Sequence, residues 1–174
     1  MTEFDATRLA WCNTLLHIQK YLDDFIKSMD QEIHQRALRS FHQTTMPVVE
    51  KIIDIMAQKN YLLRIKQDIT RLVQELEPRL REPMVSYFLQ SIPATQIARN
   101  LGFADRSVYR ILREGAKKIA PRLESIGINT FTFNKLIGRY KWIGAEYKRQ
   151  MAAGKPSEQS VETPRADSSL ENAC

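Results

Sequence analysis

Arginine and tyrosine side chains recur at helical spacing in the second half of the 174-residue sequence. Four of them and one lysine lie at i, i+3, i+4, i+7 and i+11: Arg106, Tyr109, Arg110, Arg113 and Lys117. A helix would present all five on one face, with Val108, Ile111 and Leu112 turned towards the core. An arginine fork can donate two hydrogen bonds to guanine O6 and N7 in the major groove of DNA. This face therefore has the chemistry needed to read bases.

A short helix and a tight turn precede this face and must position it. Three apolar residues share the inner side of the first helix: Ile97, Ala98 and Leu101. That helix is predicted from about Ala94 and ends at Gly102, because a residue without Cβ can adopt the left-handed conformation that stops a helix. The second helix begins near Asp105 and is anchored by Val108. A small residue, a glycine and an apolar anchor at these spacings predict a helix-turn-helix.

A known family carries the same pattern. The run LREPMVSYFLQSIPATQIARNLGFADRSVYRILREGAKKI, about 40 residues long, resembles region four of sigma factors. It also resembles small phage transcriptional regulators of the ArpU and RinA types. The resemblance implies that the first helix meets the DNA backbone, with Thr95 and Gln96 at phosphates. It also implies that the second helix reads bases through Arg106, Tyr109, Arg110 and Arg113.

The sequence departs from the family pattern at two helix starts. Pro93 and Ala104 stand where a capping Ser or Thr usually precedes each helix of the motif. Proline is compatible with a first helical turn, and Asp105 can complement the dipole of the second helix. The departures therefore leave the predicted motif in place.

Positive charge is concentrated around this motif. Residues 1–59 carry 7 Lys and Arg against 8 Asp and Glu, residues 60–151 carry 17 against 8, and residues 152–174 carry 2 against 4. The clustered cations would neutralise phosphates and release counterions. Lys117, Lys118 and Arg122 are accordingly predicted to bind phosphates.

The N-terminal third carries heptad seams. Apolar residues recur at 4-3-4-3-4 spacing: Trp11, Leu15, Ile18, Leu22, Phe25 and Met29. Ile33 and Leu38 extend the pattern through a second short helix or a continuation, and Pro47 marks a break. A long helix should follow from about 48 to 77, with a possible kink or helix boundary at Lys59 and Asn60. Such seams close an intramolecular bundle or join a homodimer, and a dimer would suit a palindromic DNA site.

The flanks of the motif are predicted to be scaffold and tail. A helix from about 84 to 90, with Pro83 in its first turn, should pack under the motif. A last helix is predicted from about 132 to 151. Tyr140 and Trp142 on it would belong to the core or an interface, although base stacking is an alternative. Residues 152–174 are rich in Ser, Pro and Glu and are predicted to be disordered.

The sequence lacks the constellations that catalysis and metal binding need. His17, His34 and His42 lie in the N-terminal helices outside any HExxH motif, and no Gly-rich phosphate loop or G-x-S-x-G occurs. Cys12 and Cys174 stand at opposite ends, which argues against a disulfide framework. With no signal peptide and no long apolar run, the sequence predicts a cytoplasmic protein that is neither an enzyme nor a membrane protein and carries no metal or cofactor.

These observations predict an all-α protein in three parts. Residues 1–77 would form an N-terminal helical bundle or coiled-coil-like hairpin for oligomerisation or partner binding. Residues 78–151 would form the helix-turn-helix domain with its C-terminal helix, and 152–174 the disordered tail. The expected function is sequence-specific regulation of transcription on double-stranded DNA, with RNA polymerase as a further candidate partner. Two alternatives stay open: a packaging or recombination accessory factor like a small terminase subunit, and an interaction module whose arginine face binds an acidic partner.

Overall fold

The computed structural model describes residues 3–40 and 46–154, and these ranges are entirely helical apart from short turns. Seven α-helices follow in chain order: α1 (Glu3–Ser40), α2 (Met46–Gln74), α3 (Pro78–Met84), α4 (Ala94–Leu101), α5 (Asp105–Ile119), α6 (Thr130–Arg139) and α7 (Lys141–Gly154). A π-helical turn, Val85–Leu89, continues α3, and a 3₁₀ helix, Ala120–Ile126, continues α5. The predicted all-α class is confirmed. The predicted tail beyond residue 154 lies outside the described ranges.

Helices α1 and α2 form an antiparallel pair. Lys59 Nζ lies 2.5 Å from Asp30 Oδ1, and Lys66 Nζ lies 2.5 Å from Asp23 Oδ1. Seven residues forward along α2 thus correspond to seven residues backward along α1. The predicted heptad seam of α1 is buried at all of its positions except the half-buried Phe25. This seam therefore packs within the chain.

Each of the two helices is continuous, and the bounds of α2 differ from the predicted 48–77 by two or three residues at each end. Of the two predicted alternatives after Met29, the structure has the continuation, since α1 runs unbroken for 38 residues. The predicted break at Pro47 coincides with the start of α2, because Pro47 lies in the first turn of that helix, where a missing N–H removes no helical hydrogen bond. The possible helix boundary at Lys59 is absent, because α2 is a single helix of 29 residues.

The segment before α4 differs from its prediction. Helix α3 begins at Pro78, so Pro83 lies inside the helix and not at its first turn. Pro83 cannot donate a backbone hydrogen bond, and the chain widens into the π-helical turn directly afterwards. Ser91, with φ of 58°, then redirects the chain towards α4. These irregular steps set where α4 starts.

The predicted last helix is two helices. The chain bends at Tyr140, which has extended φ and ψ of −114° and 96° and separates α6 from α7. An added Cβ on Gly144 would lie 3.1 Å from the Ile137 carbonyl oxygen, so the corner depends on a close backbone approach. Helix α7 also extends to Gly154, three residues into the predicted tail.

One hydrophobic core joins all of these helices. Helix α1 packs against α2, α7, the 3₁₀ helix, the π-helical turn and α5. Trp11 stacks on Phe133 of α6 with ring centroids 5.1 Å apart. The same cluster of buried side chains includes residues from both predicted regions, 1–77 and 78–151. The core therefore holds α5 on a scaffold that begins at the N-terminal helix.

Candidate nucleic-acid interface

Helix α4 turns its apolar residues inwards and its polar residues outwards. Ile97 and Ala98 are buried, whereas Thr95 and Gln96 are exposed in the first turn. No side chain caps this end, and the Pro93 carbonyl accepts hydrogen bonds from the backbone N–H groups of Gln96 and Ile97 at 3.0 Å each. Thr95 and Gln96 thus stand free at a helix N-terminus, where a helix dipole favours anions.

The turn after α4 is built on glycine. Gly102 has φ of 67° and ψ of 29°, the left-handed conformation expected from the sequence. The Phe103 backbone N–H donates to the Ala98 carbonyl at 2.8 Å, which closes the C-terminus of α4. Ala104 precedes α5 without a side-chain cap, and Asp105 places a carboxylate in its first turn. The two helices are therefore joined by a turn of three residues.

Helix α5 has one buried face and one exposed cationic face. Its buried residues are Val108, Ile111, Leu112, Gly115, Ala116 and Ile119. The opposite side exposes the residues that the spacing selected: Arg106, Tyr109, Arg110, Arg113 and Lys117. Tyr109 is 56% exposed, so its ring and hydroxyl are both accessible. We call this set the arginine face.

The buried side of α5 rests closely on α3. A Cβ added to Gly115 would lie 2.8 Å from Met84 Sδ and 2.9 Å from Met84 Cγ. Met84 is fully buried, so the two helices approach as closely as this glycine allows. Sequence reasoning missed this contact, because nothing in the spacing links residue 84 to residue 115. The contact fixes how far the arginine face stands out from the core.

The cations near the turn lack ion-pair partners within the described ranges. Arg106, Arg110, Arg113 and Lys117 form none there. Arg99, exposed in the last turn of α4, behaves in the same way and was missed by the sequence prediction. Its spacing from Thr95 and Gln96, i+4 and i+3, could have revealed it.

The predicted phosphate contacts fall into two groups. Lys118 Nζ lies 2.6 Å from Glu77 Oε1, and Arg122 pairs with Glu75. The hydrogen bond with Glu77 raises the pKa of Lys118, and the same bond lowers the pKa of Glu77. Both pairs are exposed, and such pairs are weak enough for a phosphate to compete. Lys117 keeps its charge unpaired, whereas Lys118 and Arg122 already share theirs with carboxylates.

The aromatic residues of the basic C-terminal helices pack against other helices of the chain. The Tyr140 ring lies edge-on to Phe25, with centroids 5.8 Å apart, and its hydroxyl lies 3.4 Å from Gln58 Oε1. Trp142 also packs on Phe25. Tyr140 is buried, so the predicted core role is confirmed for it. Arg139 pairs with Asp54 of α2 at 3.1 Å, which ties α6 to α2.

A small cavity lies between α1 and the segment that leads into α4. It has a volume of about 190 Å³ and is lined by Leu16, His17, Lys20, Tyr87, Phe88, Ser91, Ile92 and Pro93.

In the described part of the chain, no group of three or more His, Cys, Asp or Glu side chains could hold a metal ion. None of the described helices is long and apolar enough to cross a membrane.

The exposed arginine face can donate hydrogen bonds to paired acceptors. A guanidinium fork fits the O6 and N7 atoms of guanine, a phosphate or a carboxylate. Its position on a helix with a fully buried opposite side gives these donors a fixed spacing.

Comparisons with protein-family models, curated proteins and solved structures gave no match.

Proposed function

We propose that this protein is a sequence-specific double-stranded DNA-binding regulator of transcription, in which α4, the turn and α5 act as a helix-turn-helix. In this arrangement the α1–α2 hairpin is the body and residues 78–151 form the DNA-binding region around α5. The observation that supports this most directly is the arginine face. Its cations have no ion-pair partner in the described ranges. They lie on a helix whose opposite side is buried in the hydrophobic core.

In the proposed complex, α5 enters the major groove. Arg106, Arg110 and Arg113 lie at i, i+4 and i+7, so they cover about two helical turns. Each guanidinium can bind guanine O6 and N7, and Tyr109 can contact a base edge or a thymine methyl group beside them. Selection of bases by this face would give the protein its preferred site.

Phosphate contacts would fix the register of α5 on the duplex. Thr95, Gln96 and Arg99 lie on the outer side of α4, beside the backbone that the first helix of such a motif crosses. Lys117 adds an unpaired cation at the other end of α5. Lys118 and Arg122 would join them after exchanging carboxylate partners for phosphates.

An acidic protein partner is the alternative that the same chemistry favours. Arginine forks bind carboxylates with the geometry that they use for guanine, so the row of guanidinium groups alone does not choose between the two. The regulatory role and any contact with RNA polymerase extend the family resemblance of residues 80–119. The first experiment must therefore test whether the protein binds double-stranded DNA.

The test is selection of bound duplexes from a random pool by the purified full-length chain. We expect enrichment of one guanine-containing site. Arg110→Ala should cost about 1–3 kcal/mol on that site and relax the preference at one base position. Arg64→Ala is the matched control, because Arg64 is an exposed arginine on α2.

Two outcomes would count against the proposal. If Arg110→Ala weakened binding to every duplex equally, the side chain would contact phosphate and not bases. If no duplex were bound at low salt, the DNA-binding proposal would fall and an acidic partner would replace it.

A further inference from the structure

Helix α2 carries two apolar seams, of which α1 covers only one. The inner seam includes Ile55, Leu62 and Ile69, all buried, on the side where Lys59 and Lys66 pair with α1. The outer seam is exposed and includes Met46 (72% exposed), Val49 (40%), Ile53 (59%) and Met56 (48%). The spacing of the outer seam is 3-4-3, which is a heptad pattern of its own.

The geometry of α2 makes the outer seam one continuous stripe. Residues three and four apart are neighbours on a helix surface, so Val49 lies between Met46 and Ile53 on one side of α2. At 100° per residue, the stripe is centred about 160° around the helix from the inner seam.

The remaining side of α2 is occupied by α6 and its corner. Asp54 binds Arg139 at 3.1 Å, and Gln58 lies 3.4 Å from the Tyr140 hydroxyl. Two of the three sides of α2 are therefore covered by the chain itself, while the outer seam faces away from both.

An apolar seam of this kind is unusual on a helix face that only meets water. Solvent-facing sides of helices are normally polar, and contiguous exposed apolar stripes mark interaction sites. The end of the hairpin carries another exposed apolar residue, Leu38 of α1, which is 52% exposed. Leaving this surface bare would keep several large side chains in water.

The charge of this region favours a second copy of the chain over a charged partner. Residues 31–56 contain three cations, Arg36, Arg39 and Lys51, and three carboxylates, Glu32, Glu50 and Asp54. The segment is neutral in a chain whose net charge is +6. Two identical copies can therefore approach here without the repulsion that their basic regions would cause.

We propose that Met46, Val49, Ile53 and Met56 pack against the same four residues of a second copy about a two-fold axis. A seam of four apolar residues is self-complementary, and a two-fold contact closes after two chains. The contact itself does not require DNA. If DNA binding is also correct, the pair would offer two copies of α5 to a palindromic site.

Sedimentation equilibrium of the full-length chain without DNA tests this contact. Wild type should have the mass of two chains at tens of micromolar. Ile53→Glu and Met56→Glu should each raise the dimer dissociation constant at least about 100-fold, because they place an unpaired carboxylate in the seam. Phe131→Glu is the matched control, since Phe131 is 76% exposed on α6 and lies outside the seam. It should remain a dimer.

A cross-linking measurement separates a lost contact from a lost fold. In a Cys174→Ser background, Met56→Cys should form a covalent dimer with a short bismaleimide, and Lys135→Cys should not. Circular dichroism should show unchanged helicity in Ile53→Glu, because the side chain is exposed.

Three results would overturn the proposal. They are a monomeric wild type at 100 µM, a dimer that persists in both glutamate variants, and a complex of more than two chains. Arg110→Ala should stay dimeric, so failure of DNA binding and failure of the dimer would be distinguished.

Discussion

His17 is a residue whose surroundings set its charge. Its ring lies edge-on to Tyr87 and Phe88, with centroids 6.2 and 5.2 Å away. Burial lowers the pKa of His17; the Glu146 carboxylate raises it to a smaller extent, and the Lys20 and Arg149 cations lower it. The imidazole is therefore neutral in the folded protein at neutral pH.

This environment predicts a loss of stability in mild acid. Because the pKa of His17 is lower when folded, the unfolded chain binds the proton first as the pH falls below about 6.5. The free energy of unfolding should then decrease as the pH falls below about 6.5. His17→Gln should flatten this part of the profile, measured by urea denaturation at each pH. Identical profiles for the two proteins would show that His17 does not titrate in this environment.

For individual residues, the periodicity of the sequence predicted which side chains are exposed but not which ion pairs they form. The outward positions of Arg106, Tyr109 and Arg110 follow from spacing, because a helix with one apolar side must turn its other side to water. The ion pairs of Lys118 and Arg122 could not be predicted. Their partners, Glu77 and Glu75, lie 41 and 47 residues away in the chain, and only the packing of α5 beside the end of α2 brings them together.

The contact between α3 and α5 predicts opposite effects for two glycine substitutions. Gly115→Ala gains about 1 kcal/mol of helix propensity but pushes into the buried Met84, and overpacking costs about 1–3 kcal/mol. We expect a net loss of stability. Gly138→Ala has no neighbour within 4 Å of the added Cβ and should gain up to about 1 kcal/mol. Denaturant unfolding of both variants measures this, and a similar gain in both would mean that α3 and α5 are less tightly packed.

Element boundaries could be predicted where local chemistry decides them. The start of α5 near Asp105 and the glycine stop of α4 match the prediction, because each depends on a few neighbouring residues. The bend at Tyr140 was missed, since it requires Gly144 to meet Ile137 and Tyr140 to reach Gln58 on α2. The π-helical turn was missed as well, because a proline inside α3 resembles a proline at a helix start.

The charge distribution of the whole molecule predicts different salt dependence for adjacent lysines. Lys117→Ala should flatten the slope of log affinity for DNA against log salt by about one, because an unpaired cation releases a counterion. Lys118→Ala should flatten it less, since Glu77 already neutralises that ammonium. Glu77→Gln should steepen the slope by freeing Lys118. Equal effects of the two lysine variants would show that the Glu77 pair does not persist near DNA.

The division of the chain at residue 77 stays a prediction. The packing of the helices against one another could not be predicted from the sequence, and the contacts in the core show why. Helix α1 contacts α7 and the 3₁₀ helix, more than 100 residues later in the chain. Trp11 and Phe133 are both apolar positions of amphipathic helices, yet no local pattern says that they meet. Periodicity gives the inward side of each helix but not its partner.

If both proposals hold, the unbroken course of α1 has a consequence for the spacing of DNA half-sites. At 1.5 Å per residue, a helix of 38 residues is roughly 57 Å long. Its first half lies in the core beside α5 and its second half leads to the outer seam of the hairpin, without an interruption of the helix in residues 3–40. Two chains joined at that seam would hold their two α5 helices at a fixed separation. Half-sites moved apart by half a turn of the duplex would then lie on the wrong side of the DNA, and no internal hinge in α1 would restore their alignment.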